Sequence, residues 1–173
     1  MISKTLSRAA LATALGAALL PLLSGAAVYS NGTKTATFDV TLTIIADCTI
    51  AANALNFGSA QGVLATAVNT NTTLSVTCTN TTPYNVGLSA GTGTGSTVAS
   101  RLLSGTGANT STVSYTLKQS SGGANWGTTQ GTDTVSGTGT GSSQTLTVYG
   151  NIPAQATPQP DAYKSTITAT VYF

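Results

Sequence analysis

Apolar residues occupy every second position from Phe38 to Cys48. Phe38, Val40, Leu42, Ile44, Ala46 and Cys48 hold one register, with Asp39, Thr41 and Thr43 interleaved. A period of two is the signature of a strand that buries one face. At about 3.3 Å per residue the run is roughly 36 Å long, about twice an ordinary strand of 5–6 residues. One sandwich does not easily use all of it, and two readings stand. In one, the run bends and passes between the two sheets of a closed domain. In the other, the end at Cys48 belongs to the chain's own domain, and the leading end presents an apolar face with no intramolecular partner.

The rest of the chain repeats the same period. Leu74, Val76 and Cys78 share a face, as do Tyr84, Val86 and Leu88, then Val113, Tyr115 and Leu117, then Leu146 and Val148. The last stretch is expected as a single strand, with Tyr163, Ile167, Ala169, Val171 and Phe173 on one face and Thr166, Thr168, Thr170 and Tyr172 on the other. Gly- and Ser-rich turns fall at 91–96, 120–123 and 136–143. About a fifth of the chain is Thr, and 19 residues are Gly. That is strand-and-turn composition, and it predicts one all-β domain.

Charge narrows the function. Only 6% of residues are charged, His is absent and none of the four acids is Glu. The commonest general base and metal ligand is therefore missing. Lys4 and Arg8 precede an apolar run at 9–23, Pro21 and the small residues Ser24, Gly25, Ala26 and Ala27. This is the layout of a secretion signal, and the run is shorter than the ~20 residues of a membrane span. Residues 1–27 are assigned to it. Of six basic residues, 6 − 2 = 4 then remain against four acidic ones, so the net charge of +2 leaves with the leader. No basic patch is present to bind nucleic acid, no insertion in a membrane is expected after cleavage, and no cofactor is implied.

Cys48 and Cys78 are the only cysteines. An even pair in an exported chain reads as a disulfide, and neither CxxC spacing nor His ligands support a redox or metal pair. The loops GTGTGS at 91–96 and 137–142 lack the Lys-Ser/Thr ending of a nucleotide loop and are read as turn glycines. Trp126 is read as a loop aromatic covering the core. Tyr163 is either a corner hydrogen-bond donor, as in other sandwiches, or simple core.

The sequence stops at the end of its most regular strand, where an immunoglobulin-type sandwich would carry one more. A sandwich without that strand would expose a hydrophobic groove and unpaired main chain, which the alternating segment at the other end could complete in a second copy.

Six segments then match a family in order: FDVTLTI at 38–44 before Cys48, LNFG at 55–58, LSVTC at 74–78, VSYTL at 113–117 followed by Trp126-Gly127, VYGNIPA at 148–154 and YKSTITATV at 163–171. From 38 to 173 the chain resembles the spore coat protein U-like domain found in subunits of archaic chaperone–usher pili. SSGG at 120–123 departs from an acidic residue and Ala common in relatives, within a loop.

The resemblance implies an incomplete immunoglobulin-like β-sandwich lacking its last strand. A periplasmic chaperone would lend a strand in transit. At an outer-membrane usher, the N-terminal extension of another subunit would replace it, a mode of strand addition known from pilins. Residues 28–44 would be the donor extension and 45–173 the domain. Phe38, Val40, Leu42 and Ile44 would be the donor pegs, although Ile44 could belong to either part. Ile167, Ala169, Val171, Tyr172 and Phe173 would form the acceptor edge and the chaperone contact. The expected product is a shaft subunit of a surface pilus serving adhesion and biofilm growth. A secreted single-domain adhesin and a spore or cell-surface coat protein are the alternatives.

Overall fold

A computed structural model of the chain describes residues 31–58 and 62–173. The secretion signal at 1–27 lies outside the described residues. The chain divides into two units, one ending at Thr41 and one from Leu42 to Phe173. In the first, residues 31–41 carry neither helix nor strand.

The second unit is all-β among its described residues. Its strands are β1 (Cys48–Ala52), β2 (Val68–Cys78), β3 (Pro83–Leu88), β4 (Arg101–Gly105), β5 (Thr112–Lys118), β6 (Val135–Thr138), β7 (Ser143–Ile152), β8 (Tyr163–Lys164) and β9 (Ala169–Tyr172). Six form one sheet in the order β1-β2-β7-β5-β4-β8, and three form the other, β6-β3-β9. All pairings are antiparallel.

The alternation explains the layering. Leu74, Val76 and Cys78 of β2, Val113, Tyr115 and Leu117 of β5, and Val148 and Ile152 of β7 are buried on one side of the large sheet. Tyr84, Val86 and Leu88 of β3 meet them from the small sheet in one cluster. Thr, Ser and Asn fill the other register, as a sheet with one solvated face requires. Trp126 is 1% exposed and donates its indole N–H to the Val86 carbonyl at 2.7 Å. The indole therefore closes the core and has its one polar group satisfied.

Two features depart from the sequence-based expectations. No strand is present over 31–47, and β1 starts at Cys48. The final alternating stretch is two strands rather than one. Tyr163 and Lys164 pair with Gly105 and Ser104 of the large sheet, whereas 169–172 pair with Leu88 to Asn85 of the small one. The chain changes sheets between them, and a backbone crossing from one layer to the other cannot stay in either ladder. Residues 165–168 are held by hydroxyls and by one main-chain bond, from Ser89 N–H to the Thr168 carbonyl (3.0 Å). Thr166 N–H donates to Thr92 Oγ1 (2.9 Å), Thr168 N–H to Ser89 Oγ (2.9 Å), and Thr92 N–H to Ser165 Oγ (3.2 Å).

Candidate functional site

The sheet change leaves one side of the sandwich open. A groove of about 630 Å³ lies there, with residues 52–58 along one wall and 163–167 and Ala169 along the other. Leu74, Leu88, Tyr115, Leu117 and Val148 form its apolar floor. A second hollow of about 580 Å³, bordered by Leu64, Val113, Ile152 and Pro158, shares Gly58, Leu103 and Tyr163 with the first. The two hollows are neighbours, with these three residues between them.

The wall at 52–58 continues β1 after its ladder ends. Asn53 is the last residue tied to β2. Its N–H donates to the Thr73 carbonyl (3.1 Å), its amide to Thr73 Oγ1 (2.8 Å), and its carbonyl accepts from Thr72 Oγ1 (3.1 Å). Beyond it, side chains hold the wall. Leu55 and Phe57 lie over Gly150, where a Cβ would stand 2.9 Å from Leu55 Cδ1 and from Phe57 Cζ. The Phe57 ring meets Tyr115 edge-on, with centroids 6.1 Å apart.

The opposite wall is backed by the first glycine-rich loop. Gly91 has φ +91°, and a Cβ there would lie 2.6 Å from Ser165 Oγ and 2.8 Å from Ile167 Cδ1. The glycine permits close approach of loop to wall, which is what this loop uses its composition for. In an extended stretch, alternate N–H groups point to opposite edges. Thr166 and Thr168 direct theirs toward 89–92, while the N–H groups of Ser165 and Ile167 have no acceptor among the described residues. Across the groove, the N–H group of Ala54, which alternates with the β2-bonded Asn53, likewise has none. The groove thus pairs an apolar floor with main-chain donors free on both rims, which a β-strand would satisfy on both of its edges.

The border of the second hollow is fixed by polar contacts. Tyr163 Oη donates to the Gln159 carbonyl at 2.6 Å and accepts from Asn109 Nδ2 at 3.0 Å. Both readings of Tyr163 hold: it makes the corner hydrogen bond and also packs against the core. Asp161 accepts from Asn109 Nδ2, Thr106 Oγ1 and the N–H of Thr106 and Ala162. The hydrogen bonds from Asn109 and Thr106 hold its carboxyl below the ordinary range. Burial pushes the Tyr115 phenol up.

The sequence-derived residues fall as follows. In the first unit Phe38 and Val40 are 86% and 85% exposed, and in the second Leu42 and Ile44 are 85% and 77% exposed. Ile167 and Ala169 line the groove. Val171 packs against the core and Tyr172 stands opposite Asn85, so neither lines it. Phe173, 59% exposed, lies outside it too. Cys48 and Cys78 are disulfide-bonded and face each other across β1 and β2.

Two features, one a wall of the groove and one in the core behind it, are given no role by the sequence reading. The 52–58 wall enters only through the family segment LNFG at 55–58, and the alternation of Leu55 and Phe57 is too short to mark it as a wall. Arg101 carries no pattern at all, yet it is fully buried. Its Nε donates to Ser89, Nη1 to Val98, and Nη2 to Leu88 and Trp126, all main-chain carbonyls. Among the described residues no group of three or more His, Cys, Asp or Glu could hold a metal.

The family model of the Spore Coat Protein U domain matches residues 34–170. The chain belongs to that family. The match spans the exposed alternating segment as well as the sandwich, so both are part of one Spore Coat Protein U unit of sequence. Among solved structures, the chain is similar to one in the crystal structure of the CsuC–CsuE chaperone–tip adhesion subunit pre-assembly complex, from archaic chaperone–usher Csu pili of Acinetobacter baumannii. The TM-score is 0.56 at 24% identity, over 76% of this chain and 40% of that one. The likeness is one of fold, and this chain spans less than half of the other's length. It agrees with the incomplete immunoglobulin-like sandwich expected from the sequence. No curated protein matches the chain.

Proposed function

We propose that this chain is a structural subunit of a chaperone–usher pilus, not an enzyme, and that it polymerises by donor-strand exchange. The observation that carries the reading is the open groove, with its apolar floor and free main-chain donors on both rims, in a chain that also exposes Phe38, Val40, Leu42 and Ile44 in one register. Each peg moved from water into an apolar groove gains about 1.5–3 kcal/mol, and the added strand pairs donors that otherwise face solvent. The pegs of one copy enter the groove of the next, with the boundary between donor and domain at about residue 44. Before assembly a periplasmic chaperone covers the same groove, consistent with the chaperone complex that holds the similar chain. An outer-membrane usher then joins subunits into a surface filament. In this reading the chain serves the shaft, with adhesion and biofilm growth as the outcome.

The test is a detergent gel of the exported protein. Unheated samples should give a ladder that collapses to monomer on boiling, and a single monomer band in both lanes would refute the polymer. Replacing Val40 and Leu42 together by Asp should abolish the ladder while leaving the subunit able to dock with its chaperone.

A further inference from the structure

We infer that Ile45 is a docking residue between consecutive copies of this chain, fixing the angle at which one subunit meets the next; this rests on the strand-exchange reading above. The first observation is a break in the pattern. The pegs sit at even positions, and the odd positions Asp39, Thr41 and Thr43 are polar. Ile45 is odd, large and apolar, and it is 74% exposed. With the pegs in a neighbour's groove, odd positions face away from that neighbour's core. Polar residues suit that side. Ile45 does not, and it stands where the strand leaves the groove.

The second observation is reach. Asp47 is bonded to its own domain: its N–H donates to Thr79 Oγ1 (3.2 Å), and its carbonyl accepts from Thr79 N–H (3.0 Å). The disulfide follows at Cys48. From the last peg to this anchor the chain takes 47 − 44 = 3 residue steps, at most about 11 Å. That is about the thickness of one layer of packed side chains. Two sandwiches joined in this way have no room for a hydrated linker, so their surfaces touch around Ile45.

The third observation is that the anchor is stiff. In the 79–82 turn, Thr82 N–H donates to the Thr79 carbonyl (3.1 Å), the Thr79 and Thr82 hydroxyls are 2.6 Å apart, and Thr81 N–H donates to the Gly139 carbonyl (2.8 Å). Thr81 has φ +64°, a left-handed conformation that a β-branched residue keeps only where its surroundings hold it there. The strand therefore leaves its own domain in a set direction. A short connection, a rigid root and an apolar side chain in the gap together make a defined joint with a second copy of the same chain.

Two full-chain variants test this: Ile45→Asp, and a Gly-Ser-Gly insertion after Ala46. Both leave the pegs and the groove untouched. The expected result is an unheated-gel ladder like that of the unaltered chain, with filaments that have lost the layer lines of a regular subunit repeat in averaged electron micrographs. A ladder with unchanged layer lines in both variants overturns the inference. So does loss of the ladder in Ile45→Asp alone, which would seat Ile45 inside the groove. If the unaltered chain forms no ladder, the strand-exchange reading itself fails, a result distinct from both.

Discussion

Arg101 is a cation that directs all its hydrogen bonds to main-chain carbonyls. Its burial lowers the guanidinium pKa, and the planar fork suits it to hold several acceptors at once. It ties the end of β3 to the Trp126 loop at the place where Ser89 holds Thr168, between Ile167 and Ala169 of the groove wall. Arg101→Leu would leave those carbonyls buried and unpaired. A loss of roughly 3–5 kcal/mol is expected, read as a lower urea midpoint, and Arg101→Lys should recover only part of it. Asp161 acts at the surface through its charge. Its folded pKa is held down by Asn109 and Thr106, so its contribution is present above the ordinary carboxylate range and is lost as pH falls through the lowered value. Urea midpoints of the unaltered chain and Asp161→Asn should differ at pH 7 and converge toward pH 2.

Among the elements, β2, β3, β5 and β7 are legible in the sequence because each buries one face over several turns of the pleat. The change of sheet at 165–168 is not. Its side chains go on alternating across the switch, and only the hydrogen-bond partners change, from the ladder of β4 to the hydroxyls of Thr92 and Ser89 and then to β3. The groove was half legible for a related reason. Ile167 and Ala169 belong to a periodic stretch, whereas the opposite wall depends on a glycine in a distant strand. Gly150 lies within β7, where sequence rules see only a poor strand former. Its missing side chain is the seat for Leu55 and Phe57. Gly150→Val should therefore unseat the 54–58 wall despite the better strand propensity, at a cost of about 1–3 kcal/mol. Faster amide exchange over 54–58 with β2 still protected would bear this out; unchanged exchange there would count against it.

At the scale of the whole molecule, the larger sheet has β1 at one edge and β8 at the other, and the core lies open between their continuations. A sandwich with one side open must get its stability from the strands it has. The disulfide is one source, since it closes a loop of 30 residues and so restricts the unfolded chain. Replacing Cys48 and Cys78 together by Ser should lower unfolding free energy by about 2–4 kcal/mol, measured by denaturant titration, with the strand content of the circular dichroism spectrum retained.

The same bond joins the first residue of β1 to the last residue of β2, and β2 is in turn paired with β7 over residues 68–77. A pull on the chain from the amino-terminal side of Cys48 therefore bypasses the five residues of β1. It enters β2 through a covalent bond and loads the β2–β7 ladder. β1 cannot be unzipped one hydrogen bond at a time from its free end, because that end is riveted. Reduction would remove the rivet and make β1 the first element to peel, turning a mechanically continuous strand pair into a weak link.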